Sequence, residues 1–126
     1  MIVRKTKDGK NGSVQVSGWM PSEVEPALLL DLKDVFTAPR EGWKGIRLDA
    51  AVWAIQEKAG IYLWWGSETK NEENLILVCE SRNFMRFEDG VLSPRMDKGW
   101  DGKIYFSTFK VDEPKAFFLI LDFDKQ

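Results

Sequence analysis

The chain has 126 residues, of which 44% are hydrophobic and 30% are charged, and its formal net charge is −2. This composition is typical of a soluble globular protein and excludes a disordered chain. Proteins that bind duplex nucleic acid usually have a domain pI above about 9, whereas the pI of this sequence is near 5.2, so nucleic acid is not expected as the main partner.

The residues that are rare or absent limit the chemistry further. The chain contains no histidine and a single cysteine, Cys79. The usual zinc sites and the histidine-dependent nucleophile systems are therefore excluded, and so is an internal disulfide. We predict that the chain has no cofactor, no metal site and no catalytic residue, and that it is not an enzyme.

The sequence also carries features that bear on location. The N-terminal residues, MIVRKTKDGKNG, contain no apolar core of the kind that signal peptides have, and no apolar stretch approaches the roughly 20 residues that span a bilayer. Together with the lack of a cysteine pair, these features predict an intracellular, cytoplasmic protein that does not bind a membrane.

The first twenty residues predict a β-hairpin. Asp8 and Gly9 are residue types that readily adopt the positive φ of a tight turn, and Val14 and Val16 alternate with polar residues on the second strand. Residues 22–36 are ambiguous, because their leucines fall on one helical face but also form a compact apolar run. We predict a short helix there, and the alternative is a short strand through ALLLDLK.

Residues 46–66 allow a helix that ends at Gly60 or a hairpin that turns at EKAG. The alanines and the Gln-Glu-Lys triplet favour the helix. The alternation of apolar residues with Arg47 and Asp49 favours the hairpin, and every later segment is strand-like. We therefore predict the hairpin.

Three further segments predict strands: LILVCESRNFMRF, KIYFSTFKV and AFFLILDF. The last is apolar on both faces, which predicts a central strand. The predicted fold is a single all-β, mainly antiparallel domain over residues 1–126. It is a small barrel of the SH3-like, Sm-like or OB-like kind or a compact sandwich, with one short helix possible near residues 22–36.

A polar quartet, ESRN, interrupts the first of these segments. Both faces of the strand are apolar up to residue 79 and become polar together at Glu80, which a half-buried strand would not do. We interpret the quartet as a corner or sheet end behind which the chain leaves the core. Glu80 and Asn83 are assigned to a subunit interface, and Arg82 and Arg86 are candidates for gripping a ligand.

Six tryptophans are a large number for this length. Trp43 and Trp100 lie in glycine-containing loops, where an aromatic face could stack on a sugar ring or a base. Trp64 and Trp65 are adjacent and must point to opposite faces of a strand, so that one could lie in the core and the other at a subunit interface. Packing within the core or an interface is the competing interpretation for most of them.

No motif in the sequence assigns a function. The hypothesis that fits the composition is a small, non-enzymatic structural or interaction subunit that binds itself or another protein. The alternative is a β module that binds carbohydrate or single-stranded nucleic acid through Trp43 and Trp100 with Arg82 or Arg86. An enzyme that works through carboxylates ranks last.

Overall fold

The computed structural model describes residues 1–20, 22–23, 26–38, 46–66, 75–92 and 102–125. These residues form nine strands and one helical turn. In chain order they are β1 (Ile2–Asp8), β2 (Asn11–Met20), β3 (Ala27–Asp31), α1 (Leu32–Val35), β4 (Arg47–Ile55), β5 (Gly60–Trp65), β6 (Leu75–Glu80), β7 (Arg82–Leu92), β8 (Lys103–Phe109) and β9 (Lys115–Asp124).

The strands form two antiparallel sheets. The five-stranded sheet has the order β1-β2-β9-β4-β7, and the four-stranded sheet has the order β3-β8-β5-β6. Four pairs are nested along the chain, namely β2 with β9, β3 with β8, β4 with β7 and β5 with β6. Such nesting results when one long hairpin is rolled into two sheets, which is the jelly-roll topology. β1 adds an extra edge strand to the larger sheet.

The hydrophobic core lies between the two sheets. Val14 and Val16 of β2, Leu119 and Leu121 of β9 and Leu63 of β5 are each at most 1% exposed. They belong to one continuous cluster of buried side chains, to which both sheets contribute. Each such side chain stabilises the fold by roughly 1.5–3 kcal/mol through its removal from water, so this cluster holds the two sheets together.

The all-β, antiparallel architecture predicted from the sequence is confirmed. Of the two predicted forms, the described strands adopt the sandwich. They do not close into a barrel, because β1 and β7 end one sheet and β3 and β6 end the other. The segment that is apolar on both faces, β9, is the third of five strands and therefore central, as predicted.

The helix predicted near residues 22–36 is reduced to the single turn of α1. The residues before it form β3, which pairs with β8, so the strand alternative is right for Ala27–Asp31. The side chain of Asp31 accepts a hydrogen bond from the backbone N–H of Lys33 at 3.0 Å and begins the helical turn. Pairing with a neighbouring strand has outweighed the helical spacing of the leucines.

The two strands predicted over residues 46–66 are present as β4 and β5, but they do not pair as a hairpin. β4 pairs with β7 and β9 in the larger sheet, whereas β5 pairs with β6 and β8 in the smaller sheet. The turn between them, in which Lys58 has the left-handed conformation at φ 67°, carries the chain from one sheet to the other. Gly60 has a different role from the one expected for a turn glycine. It begins β5 beneath the Phe109 ring, and a Cβ at that position would overlap with the ring.

The segment LILVCESRNFMRF is two strands rather than one. β6 pairs with β5 in the smaller sheet, and β7 pairs with β4 in the larger sheet. Ser81 lies between them with φ 57°. Both faces become polar together at Glu80 because the chain crosses there from one sheet to the other, which agrees with the interpretation of the quartet as a corner.

The only helical segment in the described part of the chain is α1, and no helix there is long and apolar enough to cross a bilayer.

Candidate functional site

The side of the five-stranded sheet turned away from the core, here called the outward face, is apolar at its centre. Along β9, Phe117, Leu119 and Leu121 point into the core, whereas Phe118 and Ile120 alternate with them and are half-buried on the outward face. A sheet that has water on one side normally carries polar residues there. The outward face of β9 therefore has the composition of a contact surface.

The strands beside β9 extend this surface with uncharged residues, which are apolar on β4 and polar on β2. Phe118 lies between Ser17 of β2 and Ala54 of β4, and Ile120 lies between Gln15 and Val52. None of these side chains is charged, and all are half-buried. We call this group of six residues the central patch: Gln15, Ser17, Val52, Ala54, Phe118 and Ile120.

Large hydrophobic side chains stand at the rim of the central patch. Trp19 is 68% exposed, Ile2 is 64% exposed and Phe84 is 56% exposed. Each is opposite an outward-facing residue of the neighbouring strand, since Trp19 pairs with Ala116, Ile2 with Ser17 and Phe84 with Val52. Directly opposed residues of antiparallel strands share a face, so the three side chains enlarge the same surface.

Two shallow depressions mark the ends of the outward face. One, of about 580 Å³, is lined by Ala54, Phe118 and Arg82 together with the turns at that end of the sheet. The other, of about 480 Å³, is polar and is lined by Ser13, Asp122 and Arg86 among others. The outward face is therefore apolar and slightly concave at one end and polar at the other.

Hydrogen bonds and ion pairs organise the polar end. The Ser13 hydroxyl donates to Asp122 Oδ1 at 2.6 Å, and Arg47 Nη2 pairs with Asp124 Oδ2 at 3.1 Å. Burial raises the pKa of the Asp49 carboxyl, and the nearby charge of Asp124 adds to this effect. The described residues contain no group of three or more His, Cys, Asp or Glu side chains placed to hold a metal ion.

Four of the predicted site residues are exposed. Glu80, Arg82 and Asn83 lie at the corner between β6 and β7, and Arg86 lies further along β7 beside the polar depression. Arg82 and Arg86 border the outward face, whereas Asn83 points to the other side of β7. The backbone carbonyl of Glu80 accepts a hydrogen bond from the indole N–H of Trp53 at 2.9 Å. This bond fixes the corner to the core and leaves the Glu80 carboxylate in solvent.

The predictions for the tryptophans have different outcomes. Trp64 and Trp65 are 6% and 2% exposed, so neither is available to another subunit and their assignment to an interface is corrected. The indole of Trp64 donates to the Ser107 hydroxyl at 3.1 Å, and the strand alternation sets Trp65 on the core side. Trp43 and Trp100 lie outside the described residues.

Sequence reasoning missed Trp19, which is the most exposed large hydrophobic residue among those described. A signal for it was present in the sequence. Val14 and Val16 define the core side of β2, so the alternation places Trp19 with Gln15 and Ser17 on the opposite, otherwise polar, side. Sequence reasoning assigned ligand binding to Trp43 and Trp100 instead, because they lie in predicted glycine-containing loops.

Cys79 is fully buried, and burial raises the pKa of its thiol to about 12. Since the thiolate is the reactive form, we expect the native protein not to react with a disulfide reagent at pH 8, and to react with one equivalent in denaturant. A Val78→Cys variant is a matched control, because Val78 is the preceding residue and is 40% exposed. Rapid reaction of native Cys79 would contradict its placement in the core.

Comparisons of the chain with models of known protein families, with curated proteins and with solved structures found no match.

Proposed function

We propose that the protein is a small, non-enzymatic interaction subunit that self-associates through the outward face of its five-stranded sheet. The observation that carries this proposal is the apolar outward side of β9, where Phe118 and Ile120 stand in the middle of a sheet. Contiguous apolar patches of this kind mark contact sites on soluble proteins.

The chemistry of the central patch favours a second copy of this chain as its occupant. In a twofold dimer the same patch meets itself, and a charged centre would bring like charges together. The central patch carries no charge, and the nearest charged side chains, such as Arg4 and Arg82, border it on β1 and β7. Two copies can therefore meet without burying a charged group at the centre.

The size of the outward face is also suitable. Five strands about 4.8 Å apart, over about seven residues at about 3.4 Å each, give a projected area on the order of 600 Å². Protruding side chains such as Trp19 and Ile2 add to this area, and a standard interface buries about 800 Å² per partner. One face of the sandwich is therefore large enough for a specific dimer.

The proposal is tested by light scattering coupled to size exclusion over a concentration series. We expect the molar mass to rise from that of one chain, 14.5 kDa, to twice that value between about 1 and 100 μM, the range expected for a dimer of ordinary affinity. A chain that stays monomeric at 100 μM would contradict the proposal.

A second candidate function is the binding of carbohydrate or of single-stranded nucleic acid. The observation in its favour is the exposed indole of Trp19, which is opposite Ala116 at the apolar depression with Arg82 on the other side. Stacking on an aromatic ring contributes about 1–3 kcal/mol per base. Titration of tryptophan fluorescence with oligosaccharides and with oligonucleotides tests it, and a Trp19→Ala variant that responds as the wild type does would remove it.

A further inference from the structure

We infer that the outer edge of β7 binds an extended, acidic segment of another protein as a sixth strand of the larger sheet. This inference adds a second partner to the proposed self-association, and it rests on the proposed role of the chain as an interaction subunit. β7 is the last strand of its sheet, and no described strand pairs with its outer edge. Such an edge is a template for strand addition.

The ladder between β4 and β7 shows which backbone groups the outer edge offers. The N–H of Ile55 donates to the carbonyl of Ser81 at 2.6 Å, so Ser81 faces β4. Residues along an antiparallel strand alternate between facing one neighbour and facing the other. The N–H and C=O groups of Arg82, Phe84 and Arg86 therefore point away from β4, towards the position of a sixth strand.

A contact of the Asn83 side chain confirms that the N–H of Phe84 points away from β4. The N–H of Phe84 donates to Asn83 Oδ1 at 2.8 Å, and not to the opposite residue of β4. This contact blocks a donor that an incoming strand would use. Because Asn83 is exposed and its amide is held only on its own strand in this contact, a partner can displace it.

The side chains along the edge specify the charge of the partner. Arg82, Phe84 and Arg86 lie on one face of β7 and are exposed, with a positive charge on either side of an apolar ring. The charge of Arg86 also acts on the Asp49 carboxyl of β4, whereas Arg82 lines the apolar depression at the other end. The complementary strand carries acidic, apolar and acidic residues at alternate positions. A second copy of this chain fits the edge less well. If β7 paired antiparallel with β7 of a second copy, with the two Phe84 residues opposite each other, Arg82 of each copy would lie opposite Arg86 of the other, and the like charges would repel.

The test measures fluorescence anisotropy of a labelled peptide, Thr-Glu-Thr-Val-Thr-Glu-Thr, titrated with the full chain, and compares it with a peptide that has Lys in place of Glu. We expect saturable binding of the acidic peptide and at least tenfold weaker binding of the basic one. We also expect binding to weaken as salt is added, because ion pairs at an exposed edge are screened.

Variants of the edge separate backbone pairing from charge. Arg82→Glu is expected to weaken binding of the acidic peptide at least tenfold and to strengthen binding of the basic one. Phe84→Pro removes the outward N–H without removing a bond to β4 and is expected to abolish binding, whereas Phe84→Ala retains the N–H and part of the affinity. Asn83→Ala frees the Phe84 N–H and is expected to bind more tightly.

The matched control is Lys10→Glu, which reverses an exposed charge in the turn between β1 and β2, on the far side of the same sheet, and should leave the affinity unchanged. The inference is overturned if the acidic peptide does not bind at millimolar protein, or if Arg82→Glu and Phe84→Pro, folded by circular dichroism, bind it as the wild type does. Light scattering on the same samples distinguishes the two proposals. If the chain dimerises but does not bind the peptide, only the strand-addition inference is wrong. If the chain binds the peptide but stays monomeric, only the proposed self-association is wrong.

Discussion

An Ile120→Lys variant is expected to be a folded monomer at concentrations where the wild type is a dimer. Ile120 is in the middle of the central patch on the central strand, so in a twofold dimer it lies close to its counterpart. Burying an unpaired ammonium from each copy would cost at least about 3 kcal/mol, which weakens the dimer by more than about 100-fold.

The fold of the monomer should tolerate this change. Ile120 points away from the core, and a lysine can extend its ammonium past the neighbouring side chains into water. We expect a stability loss of about 1 kcal/mol or less from the lower strand propensity of lysine. Urea unfolding checks this part, and light scattering at 100 μM measures the association.

Val78→Lys is the matched control. Val78 is also a β-branched residue on an outward side, but it belongs to β6 on the other sheet and is 40% exposed. This variant should dimerise as the wild type does. Equal association of Ile120→Lys and the wild type would show that the central patch is not the contact surface.

The second large effect is expected from Asp8→Ala, which should lower the free energy of unfolding by about 3 kcal/mol, as the loss of one partner of a buried ion pair does. The side chains of Asp8 and Lys125 are 11% and 5% exposed and form an ion pair. Removing the carboxylate leaves the buried ammonium with the Thr37 carbonyl at 3.0 Å and the Phe36 ring at 5.4 Å. These contacts cannot replace a full charge.

The reverse change, Lys125→Met, should cost less, about 1–2 kcal/mol. Asp8 then retains two donors from Thr37, the backbone N–H at 2.9 Å and the hydroxyl at 3.0 Å. Because both single changes break the same ion pair, the double variant should be more stable than the sum of the two losses implies.

Lys5→Met is the control for both changes. Lys5 is 48% exposed and its ammonium lies 3.5 Å from the Asp8 carboxylate, so its replacement should change the free energy of unfolding by no more than about 0.5 kcal/mol.

The pH dependence of the same variants follows from the Asp8 carboxyl. The hydrogen bond from Lys125, and then that from the Thr37 backbone N–H, hold the Asp8 pKa well below its usual range. A carboxyl whose pKa is lowered by folding stabilises the fold when the pH is above its pKa in the unfolded chain, about 3.9. This contribution is lost as the pH falls towards the pKa of the carboxyl in the folded protein. The stability difference between wild type and Asp8→Ala should therefore be constant from pH 7 to about pH 5 and shrink below about pH 4. A difference that does not change between pH 7 and pH 2 would exclude this ion pair as its source.

Local patterns in the sequence were sufficient for several parts of the fold. Alternation of apolar and polar residues predicted the hairpin of β1 and β2. It also predicted β4 and β5 as strands, although not that they lie in different sheets. The apolar residues on both faces of AFFLILDF predicted the central position of β9. Each of these predictions depends on residues close together in the chain, where side-chain direction follows from the two-residue period of a strand.

The nested pairing could not be predicted in the same way. β2 pairs with β9 although Val16 and Leu119 are more than one hundred residues apart, and no local signal links them. The corner at Ser81 was not predictable either, because residues with positive φ are usually glycine or asparagine and this position has a serine. The sequence therefore indicated a change at Glu80 without indicating that the chain enters a second sheet there.

The candidate surface was only partly visible in the sequence. Arg82 stood out because it belongs to the polar quartet, and Arg86 because it follows the quartet on the same strand face. The role of Asn83 depends on its contact with the Phe84 N–H, and the central patch depends on which strands lie beside β9. Both are consequences of tertiary pairing, which the strand pattern of a single segment does not contain.

The most direct test of the proposed contact compares two inter-copy distances, measured by pulsed electron dipolar spectroscopy on nitroxides attached at Arg4→Cys and at Val78→Cys. Cys79 does not interfere if it is unreactive as predicted. In a dimer joined by its outward faces, sheets about 10 Å apart place the two Val78 positions about 30 Å apart or more. The Arg4 labels, at the border of the contact, should be closer together than the Val78 labels. The reverse order, or no dipolar coupling at 100 μM, would contradict association through the outward face.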